Sequence, residues 1–177
     1  MDDPYGNNSS ANVEVNEVFE EVCDLCQIEE GLFLGSMEDA NKKDALKRSN
    51  ITHILAVDKA LEPSFPNDFV YKIVRVLDKE NVYIAQFFDD CFNFINEAKR
   101  LKGGVLVHCF GGISRSVTIV VAYLIKERSM KLSQALDYVR RRRPEADPNA
   151  GFLLQLLLFE KSLQSIGKPK VDCCSIC

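Results

Sequence analysis

The chain has 177 residues, 46% of them apolar and 27% charged, and a net charge of -4, which fits one compact globular domain with its own core. No apolar run reaches the ~18 residues of a membrane-spanning helix, and the start, MDDPYGNNSS, lacks the basic and then apolar pattern of a secretory signal. We therefore expect the protein in the cytoplasm or the nucleus, where its seven cysteines stay reduced rather than forming a disulfide framework.

The acidic and basic residues are unevenly distributed. Residues 1–41 carry eleven Asp or Glu and no Lys or Arg, whereas residues 42–177 carry fifteen acidic and twenty-two basic residues. A net positive body attracts nucleic acid, anionic membrane surfaces or phosphorylated proteins. Charge by itself leaves these three partners open.

The two ends of the chain differ in composition from its middle. Residues 1–11 are rich in Asn, Ser and Asp and predict a disordered acidic tail. Over residues 12–26, apolar residues recur at helical spacing among acidic ones, which predicts an amphipathic helix. Residues 167–177 are polar apart from their cysteines and predict a flexible tail. We place the catalytic domain at residues 27–166.

Within that domain, short apolar runs alternate with longer stretches of helical periodicity. The apolar runs predict strands at 31–35, 51–57, 69–76 and 103–108. The periodic stretches predict helices at 38–48, 84–101, 114–126, 132–142 and 149–166. This alternation indicates an α/β fold, a single domain with a central, mostly parallel sheet flanked by helices.

One loop between a predicted strand and a predicted helix has the properties of an anion site. The segment VLVHCFGGISRS passes from strand to helix through Gly111 and Gly112. A loop that closes onto a helix N-terminus points backbone N–H groups inward, and the helix dipole adds positive potential there. Arg115 can offer its planar fork of donors to two phosphate oxygens at once. The segment therefore predicts a cradle for a phosphate dianion.

The same loop supplies a nucleophile. The inward N–H groups and Arg115 are expected to stabilise a thiolate at Cys109, which then needs no separate base. His108 is therefore expected to orient the loop rather than to take a proton. A departing alkoxide or phenoxide does need a proton, and Asp78, on a predicted loop after a strand, is placed to deliver it.

These residues resemble a known family. HCFGGISRS is similar to the signature of cysteine-based protein tyrosine phosphatases, in the form typical of the dual-specificity branch. The resemblance extends over residues 27–166 and includes THILAV, VRVLD, FINEAKR and RRPEADPNAGFLLQL. It is greatest to small, single-domain members of the plant type. The resemblance implies that the phosphatase loop lies between the last strand and the helix that follows it.

The resemblance also implies roles for individual residues. It assigns the nucleophile to Cys109, the phosphate-binding arginine to Arg115 and the general acid to Asp78. Ser116 matches the hydroxyl that helps the sulfur leave, and Asn149 matches a residue that braces the loop. The substrate-binding phosphate loop comprises Phe110, Gly111, Gly112, Ile113, Ser114 and Arg115, with His108 and Asn149 in support.

The implied activity is hydrolysis of phosphotyrosine and of phosphoserine or phosphothreonine through a phosphocysteine intermediate, with no metal and no cofactor. The expected partners are phosphorylated proteins, with MAP kinases as the family-based expectation, and no nucleic acid. Two alternatives stay open at this point. One is hydrolysis of a phosphoinositide or an RNA 5′-triphosphate by the same cradle, and the other is an inactive module that only binds phosphoproteins.

Three further features have plainer interpretations. Cys23 and Cys26 form a C-x-x-C, but no second pair of ligands accompanies it. We therefore interpret them as residues on the face of a helix rather than as zinc ligands. Cys91 is expected to pack in the core. The run from Arg140 to Arg143 suits a helix C-terminus, with a nuclear address or a docking patch for a second phosphate as alternatives.

Overall fold

The structure, a computed structural model, describes residues 25–166 of the chain. Its five strands are β1 Cys26–Glu29, β2 Leu32–Gly35, β3 Ile51–Val57, β4 Val70–Val74 and β5 Gly104–His108. They form one sheet in the order β1-β2-β5-β3-β4, with β1 antiparallel to β2 and all other pairs parallel. The predicted α/β fold with a mostly parallel sheet is confirmed.

Helices cover both faces of this sheet. They are α1 Met37–Ala40, α2 Lys43–Arg48, α3 Phe88–Arg100, α4 Arg115–Glu127, α5 Leu132–Arg140 and α6 Ala150–Ile166, with a 3₁₀ turn at Ile84–Phe87 before α3. Among the helices of residues 25–166, none combines the length and the apolar composition that crossing a membrane requires.

The sheet separates two hydrophobic cores because successive side chains of a strand point to opposite faces. On β5, Val105 and Val107 belong to the larger core, which packs against α3, α4, α5 and α6. Leu106 lies between them and faces the smaller core, with Ala40 of α1 and Leu46 of α2. Both faces of the central strands are therefore covered, which explains why they appear as continuous apolar runs.

The structure corrects several predicted elements. β1 was not predicted as a strand, and Cys26, the last residue of the predicted N-terminal helix, begins it. The predicted helix at 38–48 is two short helices, because the backbone of Lys42 has a ψ of 71° and leaves the helical region. The predicted helix at 84–101 begins with the 3₁₀ turn. The predicted helix at 132–142 ends at Arg140.

Most of the predicted N-terminal segments lie outside the described residues. These are the tail at 1–11 and the amphipathic helix at 12–26 up to residue 24. The predicted tail at 167–177 lies outside them too. The proposed boundaries of the catalytic domain stay predictions.

Candidate active site

The predicted phosphate loop, Phe110 to Arg115, follows Cys109 and connects the end of β5 to the first residue of α4. β5 is the central strand of the sheet and is buried along its whole length. α4 is buried from Ser116 to Ile125, as expected for a helix that is apolar on all sides. Both ends of the loop are thus fixed by core packing.

The sulfur of Cys109 lies inside the loop and accepts two hydrogen bonds. The Gly112 N–H donates to Sγ at 3.2 Å, and the Ser116 hydroxyl donates to it at 3.2 Å. Cys109 is only 1% exposed, so these donors replace water around the sulfur. Donors of this kind favour a negatively charged sulfur.

Three carbonyl groups of the loop segment are bonded to neighbouring parts of the chain. The carbonyl of Phe110 accepts from the Met37 N–H at 3.0 Å, and that of Ile113 accepts from the Asp147 N–H at 2.8 Å. The carbonyl of Ser114 accepts from both the N–H and the hydroxyl of Thr118. With these carbonyls bonded elsewhere, the loop can present N–H groups to an anion on the inside.

Arg115 is the first residue of α4, and its guanidinium lies between two aspartates. Its Nη1 donates to Oδ2 of Asp58 in a close ion pair, and its Nε lies 3.6 Å from Oδ2 of Asp78. The side chain is 11% exposed, and Nε has no hydrogen-bond partner among residues 25–166. A buried donor without a partner costs free energy. This N–H is therefore suited to donate a hydrogen bond to an oxygen of a ligand.

Asp78 lies directly against the loop. Its Oδ1 accepts hydrogen bonds from the Ser114 hydroxyl at 2.8 Å and from Nδ2 of Asn149 at 2.7 Å. The Asn149 N–H in turn donates to the Ser114 hydroxyl at 3.1 Å. The structure therefore brings Asp78 and Asn149 together beside the loop, and their expected roles stay predictions.

His108 is buried at the end of β5. Burial lowers the pKa of its imidazole to about 4, and the Cys109 backbone and the carboxylates of Asp39 and Asp58 oppose this only in part. Its Nδ1 has no hydrogen-bond partner among the described residues. The ring is therefore neutral near pH 7, and its expected role in orienting the loop stays a prediction.

Two apolar side chains of the loop face solvent instead. Phe110 is 63% exposed and Ile113 is 43% exposed. Both belong to the predicted substrate-binding loop, where exposed apolar side chains are available to contact a ligand.

Comparison with known proteins identifies the family. The family model described as dual specificity phosphatase, catalytic domain, matches residues 32–162. The chain belongs to the dual specificity phosphatase family. This phosphatase is 55% identical over 141 residues to dual specificity protein phosphatase 1B of Arabidopsis thaliana, covering 80% of this chain and 84% of that protein. The predicted phosphatase activity on phosphorylated proteins is confirmed at the level of the family, and the phosphoinositide, RNA and binding-module alternatives are not favoured.

One further relative and one solved structure are similar to this phosphatase. MAP kinase phosphatase with leucine-rich repeats protein 3 of Dictyostelium discoideum is 45% identical over 134 residues, covering 75% of this chain and 16% of that protein. The crystal structure of human tyrosine phosphatase-like serine/threonine/tyrosine-interacting protein superposes with a TM-score of 0.77 at 35% identity, covering 79% and 97% of the two chains. The fold is therefore that of the family.

Sequence reasoning missed two residues of this site. Asp58, directly after β3, is the ion-pair partner of Arg115. Arg143, the last of the arginine run, bonds to the outside of the phosphate loop. The sequence separations hide both contacts, although an aspartate at the carboxyl end of a buried strand is a signal that could have pointed to Asp58.

The cysteines outside the loop have other environments. Cys91 is fully buried in the larger core, as predicted. Burial raises the pKa of its thiol to about 12, so it stays protonated and is a poor nucleophile.

Proposed function

We propose that the phosphatase hydrolyses phosphotyrosine and phosphoserine or phosphothreonine side chains in two steps, through a phosphocysteine on Cys109. In the first step Sγ bonds to phosphorus, the bond from phosphorus to the side-chain oxygen breaks, and Asp78 gives that oxygen a proton. In the second step water attacks phosphorus, Asp78 takes a proton from the water, and the sulfur–phosphorus bond breaks. Inorganic phosphate and the thiolate are the products.

The observation that carries this proposal is the pair of donors on the sulfur of Cys109. The Gly112 N–H and the Ser116 hydroxyl both stabilise negative charge on Sγ, which is present before attack and returns when the sulfur leaves. Ser116 therefore supports the second step in particular. Arg115 binds the phosphoryl oxygens, because its planar fork matches two of them at once.

The direct test uses two cysteine variants. Cys109→Ser should lose at least about a hundredfold in kcat/KM on phosphotyrosine and phosphothreonine peptides, since a serine hydroxyl here has no comparable route to the anion. Cys91→Ala is the matched control and should keep wild-type activity. Acid quench during turnover should trap phosphate on Cys109. Wild-type enzyme that turns over without any trapped phosphocysteine would contradict the proposal.

We further propose MAP kinases as substrates and the cytoplasm or nucleus as the location, as part of phosphorylation signalling. The support is the likeness to a relative whose name describes a MAP kinase phosphatase. A panel should compare a doubly phosphorylated Thr-x-Tyr peptide with a phosphoinositide and an RNA 5′-triphosphate. The peptide should be hydrolysed fastest, and a preference for either of the others would contradict the assignment. The distribution of a fluorescent fusion protein tests the location.

A further inference from the structure

The two glycine carbonyls of the phosphate loop are bonded by a single side chain. Nε of Arg143 donates to the carbonyl of Gly112 at 2.7 Å, and its Nη2 donates to the carbonyl of Gly111 at 3.2 Å. The carbonyls of Phe110, Ile113 and Ser114 are bonded by N–H groups or by Thr118. Arg143 thus supplies the donors for the two glycine carbonyls.

Arg143 is more buried than the other arginines of the run 140–143. Arg140, Arg141 and Arg142 are exposed, whereas the side chain of Arg143 is only 12% exposed. Its guanidinium also lies 3.8 Å from Oδ2 of Asp39 and 3.5 Å from Oε1 of Glu145. Two carboxylates thus lie beside the guanidinium and favour its position against the loop.

The bonded carbonyls determine where the neighbouring N–H groups point. A trans peptide is planar, so its carbonyl and the N–H of the next residue point in opposite directions. When Arg143 holds the Gly111 carbonyl outward, the Gly112 N–H must point inward, and this N–H donates to Sγ of Cys109. Its bond to the Gly112 carbonyl fixes the N–H of Ile113 in the same way.

Glycine peptides need such an external restraint. Gly112 has a φ of +68°, a region that glycine enters freely and also leaves freely, because it has no Cβ. Two consecutive glycines therefore make the orientation of these peptides the least constrained part of the loop. A rigid donor fork across both carbonyls supplies the restraint that the loop residues lack.

We propose that Arg143 is a positioning residue for catalysis, which clamps the Gly111 and Gly112 peptides so that their N–H groups face the sulfur and the phosphoryl group. This rests on the proposed function, since it takes Cys109 as the nucleophile. Arg143 does not touch the substrate. It acts through the loop by stabilising the thiolate and the negative charge that develops on the phosphoryl oxygens.

The test compares Arg143→Met with Arg141→Met, an exposed arginine of the same run. Arg143→Met should lower kcat by roughly the 10²-fold that loss of one such donor costs, while KM changes much less. The pH profile of Cys109 alkylation by iodoacetate should also shift to higher pH. Arg141→Met should leave both measurements at the wild-type value.

A second variant covers the case in which Arg143→Met fails to fold. Arg143→Lys keeps the charge but can reach only one carbonyl, so it should fold and give a smaller kcat loss and a smaller alkylation shift. A folded Arg143 variant that is less stable to heat but has wild-type kcat and a wild-type alkylation profile would overturn the proposal. Failure of the proposed function is distinguishable, because alkylation of Cys109 in the wild-type enzyme would then leave activity intact.

Discussion

Asp78, the proposed general acid, is held against the phosphate loop through both of its carboxylate oxygens. Oδ1 accepts from Ser114 of the loop and from Asn149 beside it, and Oδ2 lies 3.6 Å from Nε of Arg115. The carboxyl group therefore lies next to the residue that is proposed to hold the phosphoryl group. A group so close to the reacting atoms is well placed for proton transfer.

The proposed acid role of Asp78 predicts an effect that depends on the leaving group. Asp78→Asn keeps the size of the side chain but removes the proton, so kcat for an alkyl phosphate should fall by about 10²–10⁴-fold. An activated aryl ester that leaves without a proton should lose far less. Steady-state kinetics on the two esters measure this difference. Equal losses would mean that Asp78 only holds the loop.

Substitution by alanine should affect activity very differently at the two glycines of the loop. A Cβ on Gly112 would lie 2.6 Å from the Gly35 carbonyl oxygen and 2.5 Å from Nη2 of Arg143, at a positive φ that L-residues disfavour. A Cβ on Gly111 would meet only the Ile113 side chain, at 3.4 Å. Gly112→Ala should therefore reduce kcat/KM at least about tenfold more than Gly111→Ala does. Similar losses in the two variants would contradict this account of the loop.

At the scale of elements, the first half of α6 holds the segment that carries Asp78. Nε2 of Gln155 donates to the Val82 carbonyl at 2.8 Å, and its Oε1 accepts from the Ala85 N–H at 3.1 Å. Gly151 lies so close to this segment that a Cβ there would be 2.0 Å from the Glu80 carbonyl oxygen. The segment from Asp78 to Ala85, called the acid loop below, is therefore in direct backbone contact with α6.

This contact makes Gly151→Ala a test of the coupling between α6 and the acid loop. Within a helix, alanine is normally about 1 kcal/mol more favourable than glycine, so helix propensity alone predicts a more stable protein. The contact with Glu80 predicts the opposite, because backbone atoms must shift. We expect a lower thermal midpoint and a lower kcat on phosphate esters with poor leaving groups.

Leu154→Ala is the matched control for this prediction. Leu154 lies on the same helix and is 56% exposed, so truncation there should change neither measurement appreciably. A Gly151→Ala enzyme as stable and as active as the wild type would show that the acid loop adjusts at no cost.

At the scale of the whole molecule, the sequence predicted the elements that bury apolar surface and missed features set by long-range polar contacts. β3 was predicted within its observed bounds because a strand covered on both faces is apolar throughout. β1 was missed because its alternating residues, CQIE, number only four, and the helical spacing before them was extended to Cys26. The phosphate loop could be predicted because its glycines and its arginine lie within five consecutive residues, 111–115.

The polar partners of that loop were harder to predict. Asp58 pairs with Arg115 across 57 positions, and Arg143 bonds to Gly112 across 31. Locally, Asp58 follows a strand and Arg143 follows a helix. Turn formation explains the first position and the helix dipole explains the second. Only the packing of the chain brings them to the loop.

Buried His108 makes the stability of the whole domain depend on pH in a defined window. Its pKa of about 4 in the folded protein lies below the ~6.5 of an unfolded chain, so between these values the unfolded state binds a proton that the folded state does not. The free energy of unfolding should therefore fall as pH drops from about 6.5 to 4. At roughly 1.4 kcal/mol per pH unit, the loss is about 3 kcal/mol by pH 4.

Denaturant unfolding of wild type and His108→Gln between pH 7 and pH 4.5 measures this contribution. Glutamine cannot be protonated, so the variant should lose less free energy of unfolding over this range, whatever its stability at pH 7. His53 has a lowered pKa from burial and contributes to both proteins alike. Burial alone would raise the pKa of Glu29, but hydrogen bonds to Arg128 and Lys99 outweigh this effect and lower it. The stability that Glu29 contributes is therefore lost only below about pH 4.5. Equal slopes for the two proteins would show that His108 takes up a proton in the folded state as readily as in the unfolded chain.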